Sequence, residues 1–329
     1  MALPKLKQLF LSNNEFTGTI PVDIGARLPG LTDFWAASNA LVGPLPSSIG
    51  DMTNLRTLIL YDNSLDSSLP STFGALADLT NLQLYKNVFD QQLPISLFEL
   101  TSLTSLRLDH NFLTGRVPSA LGRLSALTDL RFHNNFFESK MPEDLFNLNQ
   151  LRVFTAGTNL FTGSIPNIFV GFSHLQDLDL STCFFSGSIP DTIFDNPGIQ
   201  RVYLNNNALS GGLPASYANS PALVDLYLDS NLLTGTVTEA TSLPQLQELL
   251  LQNNLFTGTI PPGVCDLRSA GSLQNLFSDC GGANPEVDCT FPNCCNRCFE
   301  GGSVTDQRRK LKTMMQSRLV EHRQKPNDR

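Results

Sequence analysis

The chain has 329 residues, 41% of them hydrophobic, and a net charge of −8 at pH 7. No run approaches the roughly 18 apolar residues of a membrane helix, and an acidic body argues against general nucleic-acid binding, which needs a basic face. The charge is uneven, because residues 299–329 hold eight Lys and Arg against four Asp and Glu, so this tail carries +4 and the remainder −12.

From Leu3 onward one pattern returns about every 24 residues, and its clearest copy, at residues 103–118, reads LTSLRLDHNFLTGRVP. Such self-similarity predicts a solenoid of stacked repeats, each packed on its neighbours. The step is 24 residues except for one of 25 and one of 23. Eleven repeats are marked by an asparagine, or once by a cysteine, at Asn14, Asn39, Asn63, Asn87, Asn111, Asn135, Asn159, Cys183, Asn207, Asn231 and Asn254.

Each repeat begins with a strand pattern. In Leu106-Arg107-Leu108 the leucines are predicted to point inward and the arginine outward, following the two-residue period of a strand. Asn111 follows this strand, where backbone groups face the interior and need partners, and a buried amide both donates and accepts hydrogen bonds. We therefore expect a ladder of stacked asparagines, in which the loss of one costs about 1–3 kcal/mol.

The second part of each repeat is predicted to be a turn. Gly115 suits a backbone turn with positive φ. Pro118 then fixes an extended return path and stops strand pairing beyond it, and residues 119–122 are expected to form a short helical turn on the outer face. The positions equivalent to Gly115 hold Gly18, Gly43, Gly163, Gly187, Gly211, Gly235 and Gly258, with Ser67, Gln91 and Ser139 in three repeats.

The last repeat leads into a cysteine-rich segment, predicted to be a C-terminal cap at residues 267–298 that covers the end of the solenoid. Three disulfides in any of 15 connectivities fit its cysteines, and a metal site is less favoured because only one C-x-x-C pair is present. Cys183 is expected to be a buried core thiol. The disulfide candidates are Cys265, Cys280, Cys289, Cys294, Cys295 and Cys298.

The two ends of the chain point in different directions. The cysteines indicate an oxidising compartment, yet residues 1–30 contain no signal peptide, and Met1 leads directly into a repeat without an N-terminal cap. We interpret this as a missing natural N-terminus that carries a signal peptide or an anchor; a true start at Met1 would indicate a cytosolic protein. Residues 299–329 are predicted to be a disordered basic tail, with a membrane-surface or partner-binding helix as the alternative.

The repeat, with its consensus LxxLxLxxNxLTGxIPxxLGxLxx, resembles the plant-type leucine-rich repeat of receptor-like kinase ectodomains and polygalacturonase-inhibiting proteins. The resemblance covers about residues 3–266. The segment CGGANPEVDCTFPNCCNRC resembles the caps of leucine-rich-repeat surface proteins of diatoms. Together they imply an α/β repeat fold: a right-handed solenoid of about eleven 24-residue repeats over residues 1–266, with a concave parallel β-sheet and a disulfide-rich C-terminal cap.

Function in a solenoid usually resides on the concave face. There the sequence predicts a basic and aromatic band, interspersed with Asp62, Asp109 and Asp129, that would attract an acidic peptide or an anionic glycan and offer tyrosines for contact. An ordinary solvated strand face is the alternative. The band comprises Arg56, Tyr61, Tyr85, Lys86, Arg107, His110, Arg131, His133 and Arg152, and beyond it the face turns acidic at Asp177, Asp179, Asp225, Asp229 and Glu248, with Tyr203 and Tyr227 between them.

Single residues on this face leave alternatives open. Trp35 is expected either to bind a ligand or to pack under a missing N-terminal segment. His110 and His133 are one repeat apart and are expected to lie near each other, which would suit a pH-sensitive contact. No metal site is predicted there, because the pattern shows no third ligand.

Catalytic motifs are absent: the chain has no G-x-G-x-x-G, P-loop, H-E-x-x-H or G-x-S-x-G sequence. An open strand face also does not exclude water. We therefore expect a non-catalytic recognition module without cofactors, extracellular or at the cell surface, that binds a protein, a peptide or an anionic glycan. The alternatives are a secreted inhibitor of a cell-wall glycosidase and a structural or adhesive cell-wall protein.

Overall fold

The computed structural model describes residues 2–238, 243–281, 287–288, 294–295, 297–300, 313 and 317. The chain divides into two compact units, Met1–Asn159 and Leu160–Arg329. Cys289 and nearly all of the predicted tail lie outside the described residues. The domain boundaries at residues 266 and 298 stay predictions.

In the N-terminal unit, each repeat starts with a three-residue strand that pairs in parallel with the strand of the next repeat. The middle residues face the core, as in the register Leu58↔Leu82↔Leu106, and all three are buried. The flanking residues of each strand point to the other side, because side chains alternate along a strand. These strands are Gln8–Phe10, Asp33–Trp35, Thr57–Ile59, Asn81–Gln83, Ser105–Arg107, Asp129–Arg131 and Val153–Thr155.

A second strand of two to five residues follows the asparagine of each repeat, and the sequence did not predict it. The first four of these strands pair in succession, and a separate ladder begins at Thr114–Arg116. The break coincides with Gln91, which replaces the turn glycine and does not take the left-handed conformation of Ser67 and Ser139 (φ 65° and 72°). These strands are Thr17–Gly18, Ala40–Pro44, Ser64–Ser67, Val88–Phe89, Thr114–Arg116 and Phe136–Ser139.

A short helix completes each repeat after the proline. Pro118 is extended (φ −68°, ψ 148°) and immediately precedes one of these helices, which begins where the sequence predicted a helical turn. The first repeat, with its longer step, has the α-helix Ile24–Arg27 instead of a 3₁₀-helix. The 3₁₀-helices of the unit are Ser47–Asp51, Ser71–Ala75, Ile95–Glu99, Ser119–Arg123 and Glu143–Asn147.

The C-terminal unit repeats the same order of elements. Its main strands are Asp177–Asp179, Arg201–Tyr203, Asp225–Tyr227, Glu248–Leu250, Asn275–Gly281 and Arg297–Glu300. The second strands are Leu160–Ser164, Phe184–Gly187, Ala208–Gly211, Leu232–Gly235, Leu255–Phe256, Gly258–Thr259 and Val287–Asp288. Its helices are the 3₁₀-helices Phe169–Gly171, Asp191–Ile193 and Ala215–Asn219 and the α-helix Pro262–Ser269.

Leucines and phenylalanines fill the core of both units. Phe89 and Phe137 are fully buried in the N-terminal unit, as are Phe161 and Phe185 in the C-terminal unit, where these two rings stack at 6.0 Å. The first repeat differs, because Phe10 and Phe16 are half exposed. The predicted stack of parallel-strand repeats is confirmed. Within the described residues no helix has the length and apolar character needed to cross a membrane.

Candidate recognition face

The repeat geometry holds each outward-facing side chain in a regular row. In the strand Ser105–Arg107, Leu106 is buried while Ser105 and Arg107 are partly exposed. The residue before each ladder asparagine then adopts a left-handed backbone, with φ of 52° at Lys86 and 55° at His110. Such φ values are uncommon outside glycine, and they recur at Asn13, Ser38, Asp62, Asn134, Thr158, Thr182, Asn206, Ser230 and Asn253.

The asparagines stabilise this turn from inside. Asn111 Nδ2 donates to the carbonyl oxygens of Leu84, Leu108 and Asp109 at 3.1, 3.0 and 3.3 Å, and its Oδ1 accepts from the N–H of Phe89 at 3.2 Å. The same pattern of bonds recurs at Asn63, Asn87, Asn135, Asn207 and Asn231. Asn14 in the first repeat is exposed, and Cys183 is fully buried at its ladder position.

Aromatic rings form the first part of the face in the N-terminal unit. Tyr61 and Tyr85 stack with centroids 4.4 Å apart, and the Arg107 guanidinium lies 4.0 Å from the centroid of Tyr85. Burial raises the pKa of Tyr85, and the positive charge of Arg107 opposes this shift. Trp35 is 38% exposed and contacts the ring of Phe10 at 4.7 Å, so its outward position is observed directly. We call Tyr61, Tyr85 and Arg107 the aromatic platform.

Acidic neighbours partly neutralise the predicted basic band. Arg131 Nε lies 2.7 Å from Asp129 Oδ1, and Arg107 Nε lies 3.6 Å from Asp109 Oδ1. Lys86 is exposed and makes no ion pair with any residue that the structure describes. Arg56 and Arg152 are exposed as well, but they precede their strands and occupy a different row, equivalent to Thr80 and Thr128, from the strand arginines.

The two histidines do lie together, around an aspartate that the residue pattern placed in the band only as an interspersed charge. His110 and His133 form an edge-to-face contact with ring centroids 4.9 Å apart. Asp109 Oδ2 is 3.1 Å from His110 Nδ1 and 3.7 Å from His133 Nε2. Asp109 is only 2% exposed although it stands at an outward position. Its neighbours bury it, and a strand pattern alone does not report that.

The strand face of the C-terminal unit is linked by acid–base and hydroxyl contacts. Arg201 binds Asp177 through Nε and Nη2, each at 2.7 Å, and this hydrogen bonding raises the pKa of the arginine. Tyr203 donates to Asp225 at 2.9 Å, and Tyr227 donates to Glu248. Burial raises the pKa of both tyrosines and of Asp225, and it raises the pKa of Asp229 to about 6.

The cysteine segment is described in part. Cys265, in the helix Pro262–Ser269, forms a disulfide with Cys294, and Cys295 is also disulfide-bonded. The side chains of Cys280 and Cys298, like all of Cys289, lie outside the described residues. The pair Cys265–Cys294 is therefore one of the disulfides that the six cysteines form.

Comparisons with known proteins agree with the repeat geometry. Residues 39–260 match the family described as leucine-rich repeat region, and residues 5–26 match the leucine-rich repeat. No curated protein sequence matches the chain. Among solved structures, a TDR receptor is 32% identical with a TM-score of 0.77, over 80% of this chain and 46% of the receptor chain.

Two further solved structures hold peptides. The plant peptide hormone receptor RGFR1 in complex with RGF2 is 26% identical, with a TM-score of 0.78, over 83% of this chain and 47% of its own. The ectodomain of the Arabidopsis receptor kinase HAESA in complex with an IDA peptide hormone is 30% identical, with a TM-score of 0.73, over 85% of this chain and 51% of its own. This chain thus spans about half the length of each. With the family match covering most of its repeats, the chain belongs to the leucine-rich repeat family.

Proposed function

We propose that the chain is a non-catalytic recognition module that binds an extended peptide along the strand face of its N-terminal unit. The aromatic platform carries this proposal. Two stacked tyrosines capped by Arg107 present a partly exposed, rigid surface, and tyrosine and arginine are enriched among the residues that dominate binding energy. Because the strands are already ordered, little conformational entropy is lost when a ligand binds.

The charges of the face favour a particular kind of peptide. Lys86 is adjacent to Tyr85 and is available to an acidic group, whereas Arg131 is already bound to Asp129. A strongly anionic ligand would therefore find less positive charge than the arginine count suggests. We propose a peptide that places an aromatic or apolar residue on the platform and a carboxylate near Lys86.

The setting that we propose is extracellular. Disulfides such as Cys265–Cys294 form and persist in oxidising compartments. The structures of RGFR1 and HAESA, which resemble this chain, were determined with peptide hormones bound, and this supports a peptide over a glycan.

The test is a screen of a displayed peptide library against the immobilised full chain, followed by affinity measurements on variants. We expect Tyr85→Ala and Lys86→Glu each to lower the affinity for the selected peptide about tenfold or more, as substitutions of central binding residues do. Arg116→Glu is the matched charge-reversal control, since Arg116 is exposed on the second strand of a neighbouring repeat.

Three outcomes would contradict the proposal. Equal binding by Tyr85→Ala, Lys86→Glu and Arg116→Glu would place the site elsewhere. Displacement of the peptide by an anionic oligosaccharide that itself binds more tightly would favour the glycan ligand. A library that yields no binder would favour a structural role.

A further inference from the structure

Three side chains with metal-binding atoms converge on the strand face of the N-terminal unit. One such atom from each of Asp109, His110 and His133 lies within 4.8 Å of the other two. The donors around a tetrahedral Zn²⁺, with bonds of about 2.0–2.1 Å, stand about 3.3 Å apart. The separations from Asp109 Oδ2, 3.1 Å to His110 Nδ1 and 3.7 Å to His133 Nε2, are already close to this spacing.

The second nitrogen of each imidazole has a polar partner. His133 Nδ1 is 2.8 Å from Thr155 Oγ1, and the amide of Asn134 is 3.0 Å from His110 Nε2. An amide presents either its oxygen or its nitrogen after a half-turn, so its oxygen can accept from Nε2–H. Metal-binding histidines nearly always donate their other N–H in this way, which fixes the ring and leaves the first nitrogen for the ion.

Asp109 shows an incompletely compensated buried charge. It is 2% exposed, and its Oδ1 is buried without a hydrogen-bond partner, with Arg107 Nε 3.6 Å away. The guanidinium of Arg107 is held over the ring of Tyr85, and its Nε faces Asp109 Oδ1. A buried carboxylate is costly unless it is paired or binds a metal, and a cation between the imidazoles would meet Oδ2.

The backbone holds the three residues in place. The N–H of His110 donates to the carbonyl of His133 at 3.0 Å, and the ladder amides of Asn111 and Asn135 donate to the carbonyls of Asp109 and His133, both at 3.3 Å. Sites on such rigid elements bind metals more tightly, because less order is imposed on binding.

We propose that Asp109, His110 and His133 bind a divalent first-row transition metal ion, with Zn²⁺ as the best match. Two imidazoles and one carboxylate suit such ions, whereas Ca²⁺ and Mg²⁺ prefer oxygen ligands throughout. The side chain of His110 is 44% exposed, so a further coordination position opens to solvent. The residue pattern predicts no metal site because it shows no third ligand, and Asp109 supplies one. The inference concerns the ion alone and stands whether or not the face binds a peptide.

The experiment is a titration of the metal-free full chain with Co²⁺, followed by visible absorption, and with Zn²⁺, followed by calorimetry. We expect the visible bands of protein-bound Co²⁺ and one Zn²⁺ per chain that displaces it. His110→Ala and His133→Ala should each lower the affinity for Zn²⁺ at least tenfold. His174→Ala, which removes an exposed histidine from the C-terminal unit, should bind as the unsubstituted chain does.

A second readout avoids substitutions altogether. Zn²⁺ should protect His110 and His133, and leave His174 unprotected, from carbethoxylation by diethylpyrocarbonate mapped by mass spectrometry. Three results would each overturn the proposal. The first is equal labelling with and without Zn²⁺, and the second is an unchanged affinity for Zn²⁺ in both alanine variants. The third is a Co²⁺ spectrum dominated by sulfur-to-metal charge transfer.

Discussion

At the scale of single residues, the ladder asparagine links two repeats through one side chain. The amide of Asn111 meets carbonyls of its own repeat and of the preceding one, while its oxygen accepts a backbone N–H from the preceding repeat. These groups would otherwise be buried without partners, which is costly. The same bonds stabilise the left-handed turn that carries His110 on the candidate recognition face.

We predict that Asn111→Ala lowers the free energy of unfolding by about 1–3 kcal/mol, because buried backbone groups lose their partner. Urea unfolding followed by circular dichroism measures the effect. Asn149→Ala is the control, since Asn149 is exposed and its side chain hydrogen-bonds, among the described residues, to that of its chain neighbour. Equal losses in the two variants would show that the ladder bonds contribute no net stability.

Asp229 is predicted to make the stability of the chain depend on pH. Its pKa of about 6 in the folded state exceeds the usual value of 3.8 because burial disfavours the charged form. The folded chain therefore binds a proton more tightly than the unfolded chain, so this stabilisation is complete below about pH 4 and is lost as the pH rises through about 6.

Asp229→Asn should accordingly be more stable than the unsubstituted chain by about 3 kcal/mol at pH 7.5 and similar to it near pH 4. Unfolding curves at both pH values measure the difference. Asp195→Asn, at an exposed position of the same unit, controls for the loss of one negative charge. A constant difference between Asp229→Asn and the unsubstituted chain at the two pH values would contradict the assigned shift.

At the scale of elements, the pairing of the second strands is interrupted beside a turn that lacks the left-handed conformation. Gly115 and Gly235 adopt φ of 76° and 82°. Ser67 and Ser139 adopt the same conformation, whereas Gln91 does not, and the second ladder is interrupted beside it. Left-handed backbone, rather than glycine itself, is what the turn requires.

Two alanine substitutions separate backbone strain from crowding. At Gly235 an added Cβ would meet nothing within 4 Å, so Gly235→Ala should cost only the left-handed penalty of about 1–2 kcal/mol. At Gly115 the Cβ would also come within 2.7 Å of Gln92 Cγ, so Gly115→Ala should cost more. Urea unfolding of both variants tests the order, and a larger loss in Gly235→Ala would contradict it.

At the scale of the whole molecule, the C-terminal unit is stabilised by a disulfide cross-link as well as by its hydrophobic core. The Cys265–Cys294 disulfide joins the helix Pro262–Ser269 to a segment 29 residues further on. A cross-link stabilises mainly by restricting the unfolded chain, and a loop of this length corresponds to about 3–4 kcal/mol.

We predict that replacing both Cys265 and Cys294 by alanine lowers the free energy of unfolding by about that amount and speeds amide exchange in the helix Pro262–Ser269. Hydrogen exchange by mass spectrometry measures the local effect. Cys183→Ala removes a buried cysteine side chain without removing a cross-link and so measures the contribution of lost packing. Unchanged exchange in the helix of the double variant would show that the core alone holds it.

The sequence by itself determined the repeat, its parallel strands, the ladder positions and the turn glycines. These depend on a periodicity of residue types, and periodicity is visible in a single chain. The sequence did not reveal the second strands, because their side chains lack a distinct alternating pattern.

The contacts on the candidate recognition face were decided only by the tertiary structure. The sequence placed His110 and His133 near each other, but Asp109 became their buried partner through packing between repeats 24 residues apart in the chain. The same packing pairs Arg201 with Asp177, whereas Arg131 pairs with Asp129 of its own strand. Stacking distances between repeats, together with side-chain rotamers, determine which charges meet, and neither is written in the residue pattern.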